Sequence, residues 1–236
     1  MSRQFCIMTT GRSGSTELIN CLAAFDDVAV PSKDIECLDN ELVHPRTWER
    51  NSQQYAALCG PIADKNELIA AFFAHNRHRP YAGFKSMPNR HQNYDDFVDR
   101  DDVQFIVLRR RDIASMAASF YMAKRTGSWR RSGEPQAYRW QFRRDDAQEV
   151  VSNLQYLLAS EQQLNRISNA ITLTYEDLCD PNFSHSRLDE FFGRSVKLAN
   201  PKPPTSAASY VVNWTVFQDF VNRMYRQLQL GPGARP

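Results

Sequence analysis

The strongest limit on the fold is set within the first sixteen residues. Phe5-Cys6-Ile7-Met8 is an unbroken apolar run, the pattern of a strand covered on both faces rather than one with a wet side. It gives way to Thr9-Thr10-Gly11-Arg12-Ser13-Gly14-Ser15-Thr16, after which Leu18, Ile19, Leu22 and Phe25 share one helical face. A buried strand that runs through a glycine- and serine-rich loop directly into a helix is the opening unit of a parallel sheet, because a parallel neighbour needs a crossover.

The alternation continues along the chain. Short strands are predicted at Val28-Ala29-Val30, stopped by Pro31, at Ala82-Gly83-Phe84-Lys85, at Gln104–Leu108 and at Ala170–Leu173. Helices are predicted over Glu67–Ala74, Ile113–Met122, Asp145–Ile167 and Val216–Leu228, with another ending at Phe192 before Gly193. Residues 31–60 read as irregular and polar, 200–209 as a Pro/Ser linker and 231–236 as a disordered tail. The expected fold is α/β and P-loop-containing, one domain over residues 1–230, with a central parallel sheet flanked by helices on both faces. Such sheets bind ligands beyond the carboxyl ends of their strands, which directs attention to the residues after Met8, Val30, Phe84 and Leu108.

Charge narrows the partners. Lys and Arg number 29 against 27 Asp and Glu, a net charge of +2, so anion affinity has to come from local clusters and a general nucleic-acid binder is disfavoured. The five cysteines are odd in number without a CxxC spacing, and the five histidines form no HExxH. Reduced thiols and no metal are the expectation. The apolar run at Phe5–Met8 is too short for a signal peptide, and no run of about 18 apolar residues occurs. A cytoplasmic protein without a transmembrane segment is expected.

Two clusters carry anion chemistry. In residues 9–16 the glycines permit close backbone approach, the amides precede a helix, Ser13, Ser15 and Thr16 add hydroxyls, and Arg12 adds charge. This is not a Walker A loop, because Gly14 is followed by Ser15 where that motif has Lys. A turn that merely caps a helix is the alternative. The second cluster, Arg109-Arg110-Arg111-Asp112, ends the Gln104–Leu108 strand and opens a helix carrying Ser119. Arg111 and Ser119 can converge on one phosphate; a solvated basic edge is the alternative.

These motifs resemble the PAPS-dependent sulfotransferase family. TTGRSGST before an apolar helix looks like the family's 5′-phosphosulfate loop, and LRRRDIASMAASFYMAKRTGSW is similar to the matching segment of bacterial carbohydrate sulfotransferases of the trehalose 2-sulfotransferase and nodulation-factor type. The resemblance implies that 3′-phosphoadenosine 5′-phosphosulfate is bound, with 3′,5′-adenosine bisphosphate as product and no metal. It implies that Thr10, Gly11, Arg12, Ser13, Gly14, Ser15 and Thr16 hold the 5′-phosphate and sulfate, that Arg111 and Ser119 hold the 3′-phosphate, and that Tyr175 of Thr174-Tyr175-Glu176-Asp177-Leu178 lies near the nucleotide. The segment Tyr210–Trp214 resembles one that closes over it.

Sulfuryl transfer needs a base at the acceptor hydroxyl and positive charge at the leaving oxygen. By the same resemblance Glu36 is the expected base, with Asp34 and Glu41 as rivals in a loop that otherwise reads as an acidic surface turn. Lys85 and Arg12 are the expected positive charges, although Lys85 also reads as a solvated strand-end lysine. The phenol and steroid sulfotransferases carry Lys-x-His here, whereas this chain has Met87 in the third position. His91, beyond Pro88, is expected on the surface. The acceptor is expected to be a small molecule or a carbohydrate, shaped by residues 31–60 and 124–145, and an exposed helix leaves a homodimer open. The rival readings are a P-loop-like kinase or other nucleotide-dependent transferase, a non-catalytic nucleic-acid module using Arg109–Arg111 and Lys124–Arg131 with Trp129, and a sulfotransferase fold that has lost activity.

Overall fold

The computed structural model describes residues 2–34, 40–91, 93–127, 139–198 and 209–230. Strand β1 (Arg3–Thr9) leads into α1 (Ser15–Ala23), β2 (Val28–Ala29) and the short α2 (Pro31–Asp34). Helices α3 (Trp48–Cys59) and α4 (Lys65–His75) precede β3 (Tyr81–Ser86), and α5 (Tyr94–Val98) precedes β4 (Val103–Arg109). Then come α6 (Ile113–Thr126), α7 (Ala147–Leu164), β5 (Ile171–Thr174), α8 (Tyr175–Leu178), α9 (Ser186–Phe192) and α10 (Trp214–Leu230). The five strands form one parallel sheet in the order β2-β3-β1-β4-β5.

Period-two geometry explains the apolar run that opens the chain. Phe5 and Ile7 point to one face, where they join Leu18, Ile19 and Leu22 of α1 and Leu188 and Phe192 of α9. Cys6 and Met8 point to the other, against Phe72 and Phe73 of α4, Tyr55 of α3 and Phe97 of α5. Helices therefore cover both faces, as the sequence predicts. Gly83 pairs with Phe5 across the sheet, and a Cβ there would lie 2.5 Å from the Phe5 ring, so the short neighbour makes room for the large one. Helix α4 is capped at its start: Asp64 accepts from the Glu67 amide at 2.9 Å, and Glu67 reaches back to accept from the Ala63 amide, one residue before the cap, at 2.6 Å. A third cluster joins α6, α7 and α10 around Trp140, which stacks on Tyr121 at 4.3 Å. Among the described residues no helix is long and apolar enough to cross a membrane.

Two expectations are corrected. Residues 31–60 are not irregular throughout, because Trp48–Cys59 is a helix of three turns. Its buried face is Asn51, Ser52 and Tyr55, so it lacks the apolar stripe by which a helix is read from sequence. Asn51 Nδ2 donates to the Leu42 carbonyl at 2.8 Å, and the Tyr55 ring meets Phe72 edge-on at 6.1 Å. His91 is not on the surface. It is 9% exposed, stacks on Phe97 at 3.9 Å and shares a 2.8 Å hydrogen bond between Nε2 and Ser86 Oγ. The turn Pro88–Arg90 folds the chain back onto the end of β3 and carries the ring inward.

Burial, and secondarily the Lys65 charge, pull the His91 imidazole down from 6.5 to about 3. Between those values the unfolded chain takes up a proton that the folded chain refuses, so stability is complete above about pH 6.5 and is lost as the pH falls. Urea midpoints should decline on acidification from pH 6.5 to 5 with a contribution approaching 1.4 kcal/mol per pH unit, roughly the value of one full proton. In His91→Asn that decline should become distinctly shallower.

Candidate functional site

Strand β1 ends in the middle of the sheet, and the chain leaves it through residues 10–14. Arg12 adopts a left-handed φ of 69° and Gly14 one of 88°. For Arg12 this is an uncommon state, and for Gly14 the absence of Cβ removes the cost. Gly14 is also the N-cap of α1 and contributes no side-chain acceptor to the first turn. A Cβ at Gly14 would lie 2.1 Å from the Tyr175 ring, so Tyr175 at the head of α8 is the floor under the loop.

The loop's hydroxyls divide into two groups. Thr9, Thr10 and Ser13 are each about 1% exposed and turn inward. Thr9 Oγ1 contacts Ser13 Oγ and the Leu108 carbonyl, Ser13 Oγ donates to the Thr10 carbonyl at 3.0 Å, and Thr10 Oγ1 faces Met116 Sδ at 3.6 Å. These three hold the loop's shape. Thr16 looks outward from the first turn of α1, and its Oγ1 accepts from Lys85 Nζ at 2.9 Å. Lys85 is 5% exposed at the end of β3, which brings a buried ammonium to the mouth of the loop.

The second cluster arrives from β4. Arg12 Nε donates to Ser119 Oγ at 2.8 Å, so the two motifs, 107 residues apart, meet beyond the carboxyl ends of β1 and β4. The intervening turn is held by Glu176, whose carboxylate accepts from the amides of Arg111 and Asp112 at 3.0–3.1 Å. Asp112 caps α6 by accepting from the Ser115 amide at 2.9 Å. The three arginines diverge. Arg109 pairs with Glu161 at 2.9 Å, Arg111 pairs with Asp177 and approaches Glu176 at 3.9 Å, and Arg110 lies over the Tyr175 ring at 5.3 Å.

The sequence-predicted residues are thus only partly gathered. Arg12 meets Ser119, Lys85 meets Thr16, and Tyr175 lies against Gly14, all at the carboxyl end of the sheet. Arg111 is 62% exposed and turned toward α8 rather than toward Ser119. Of the carboxylates considered as base, Glu41 is buried and paired with Arg90 at 2.8 Å. Glu36 lies outside the described residues, as do Trp129 and the tail over 231–236, and the Asp34 side chain is not described either. The segment Tyr210–Trp214 rests on Trp140–Phe142: the Trp140 amide donates to the Tyr210 carbonyl at 2.7 Å, and Asn213 bonds both backbone groups of Phe142 at 2.8 and 2.9 Å. Sequence reasoning gave Arg110 and Glu176 no role of their own. Both adjoin residues that were singled out, and only the direction of each side chain separates their roles.

Burial, then the neighbouring Cys179, push the Tyr175 phenol well above its ordinary range, so the ring remains a neutral platform. Among the described residues no group of three or more His, Cys, Asp or Glu is arranged to hold a metal ion. An uncapped helix N-terminus, hydroxyls, a buried lysine and guanidinium groups around a left-handed turn form a donor set able to hold an anion. No protein-family model matches the chain, and no curated protein sequence is significantly similar to it.

Gly14→Ala tests the loop. It adds both a collision with Tyr175 and a methyl at φ 88°. The expected cost is about 1–3 kcal/mol of unfolding free energy, read from urea titrations. Tyr175→Ala is itself destabilising, since the ring is buried, but the double variant should lose less than the sum of the two separate losses because the collision is gone.

Proposed function

We propose that the chain is a sulfotransferase that takes a sulfuryl group from 3′-phosphoadenosine 5′-phosphosulfate and delivers it to a hydroxyl of a carbohydrate, glycolipid or small metabolite. The observation that carries this reading is the 2.8 Å hydrogen bond from Arg12 Nε to Ser119 Oγ. It joins a non-Walker phosphate loop to the helix after β4, the two segments whose sequences resemble the sulfotransferase family. The donor set fits such a ligand, since a nucleotide with phosphate groups at both ends needs two clusters of cationic and hydroxyl donors on one cleft.

In this reading the residue 10–16 loop and the first amides of α1 hold the 5′-phosphate and sulfate, with Arg12 contributing charge. Ser119 and Arg111 hold the 3′-phosphate, Arg111 after exchanging Asp177 for it, and Tyr175 flanks the nucleoside. The bound phosphosulfate supplies an activated sulfuryl group, whose sulfur forms a bond to the acceptor oxygen as its bond to the 5′-phosphate oxygen breaks. Lys85 Nζ, held at Thr16 Oγ1, is suited to neutralise charge on that departing oxygen, a role in which a fixed ammonium needs no reorganisation. Glu36 accepts the proton of the acceptor hydroxyl. A kinase reading has less support, because the residue after Gly14 is Ser15 and the lysine comes from β3.

Calorimetric titration with 3′,5′-adenosine bisphosphate tests the proposal. Binding is expected in the micromolar range, and Arg12→Ala should weaken it by about tenfold or more, near 1.4 kcal/mol, as for a charge-assisted contact. Ser119→Ala should weaken it by roughly threefold to tenfold. With labelled phosphosulfate and a panel of sugar hydroxyl acceptors, Lys85→Ala should bind yet turn over slowly. Tight binding of magnesium ATP with none of the bisphosphate would reverse the assignment in favour of a kinase.

A further inference from the structure

The three arginines that end β4 differ in how they are satisfied. Arg109 has Glu161 at 2.9 Å and Asn165 Oδ1 at 2.6 Å. Arg111 has both carboxylates of α8. Arg110 has no carboxylate partner among the described residues. One of its terminal nitrogens donates to the Arg12 carbonyl at 3.3 Å, its guanidinium lies 5.3 Å from the centre of the Tyr175 ring, and its Nε is buried without a hydrogen-bond partner.

Arg109 Nε is likewise buried without a partner, so what sets Arg110 apart is a guanidinium drawn partly out of water with no carboxylate at ion-pair distance among the described residues, a loss that a bound anion would offset. Aromatic stacking recovers some of that loss and also fixes the plane of the group. Position adds direction. The carbonyl it touches belongs to the left-handed residue of the anion loop, and the ring it covers is the one beneath Gly14. An uncompensated positive charge is therefore held against the loop, whereas Arg111 has to give up Asp177 before it can serve a ligand.

We infer that Arg110 is an anion-binding side chain of this cleft, seated on Tyr175 in readiness for a phosphate oxygen of the ligand. The inference rests on the reading of the cleft as a phosphate cradle and adds a guanidinium that the sequence motifs do not single out. It predicts that the three successive arginines contribute unequally, with Arg110 dominant in the initial capture of the anion and Arg109 serving only to tie β4 to α7.

Two probes, inorganic pyrophosphate and 3′,5′-adenosine bisphosphate, are titrated by calorimetry into the full chain and into Arg110→Gln, Arg110→Lys and Arg223→Gln. Gln retains a donor for the Arg12 carbonyl but no charge, so a residue that merely steadied the loop would leave affinity near that of the parent. Arg110→Gln is expected to weaken both probes by roughly tenfold or more, with the thermal midpoint within about 2 °C. Arg110→Lys should fall between. Arg223→Gln removes the same charge from the exposed side of α10 and should bind as the parent does. Unchanged affinity in Arg110→Gln, or a parent chain that captures neither probe, overturns the inference. A parent that binds pyrophosphate but not the bisphosphate sinks the sulfotransferase reading, and the pyrophosphate titration of Arg110→Gln then decides Arg110 by itself.

Discussion

Strand β1 is hydrogen-bonded to β3 along one edge and to β4 along the other, and both of its faces are covered by helices. Strands β3 and β4 are likewise paired along both edges, but β1 is the middle strand of the five, and the rest of the architecture follows from that position. A central strand must release its chain at the middle of the sheet. The first crossover then leads outward to β2, and β3 returns beside β1 before β4 takes the opposite edge. Connections that leave on opposite sides open a crevice at the carboxyl end of the strand between them. The loop over residues 10–14 lies there, with Lys85 at the end of β3 and Arg109–Arg111 at the end of β4.

The crevice is kept in shape by a single helical turn. Helix α8 contributes three consecutive side chains with three separate tasks: the Tyr175 ring lies against Gly14, the Glu176 carboxylate accepts the amides of Arg111 and Asp112, and Asp177 takes the Arg111 guanidinium. Both loops are consequently referenced to one point. This matters because Arg12 occupies a backbone state that costs a non-glycine residue energy and persists only when its surroundings over-determine it. The hydrogen bonds to Ser119 from its side chain and from Arg110 to its carbonyl are part of that determination.

Elsewhere burial reassigns residues that look ordinary in the sequence. His91 becomes a neutral core ring, because a proton on it would have to be held beside Phe97 with little water. Asp146 goes the other way. Burial raises its carboxyl, but hydrogen bonds from Tyr121, the Arg143 amide and Trp140, with the charge of Arg125, more than offset this and hold it below the ordinary range. That cluster fastens the end of α6 to the start of α7, and through Trp140 to the segment ahead of α10.

What could be read from the chain alone was whatever local periodicity encodes. The apolar runs of β1 and β4, the stripes of α1 and α7, the Gly193 stop after α9 and the loop of residues 9–16 all announce themselves, because each is specified by neighbours within about two turns. Helix α3 did not, since its buried face is Asn51, Ser52 and Tyr55 and its apolar partners come from α4. Nor could local pattern show what Arg109, Arg110 and Arg111, three identical residues in a row, would each meet. Their different fates depend on Glu161, Tyr175 and Asp177, each more than fifty residues away, and only the folded sheet brings those partners within reach. Local pattern determined the elements and the runs of like residues; long-range packing decided which partner each of the three arginines meets.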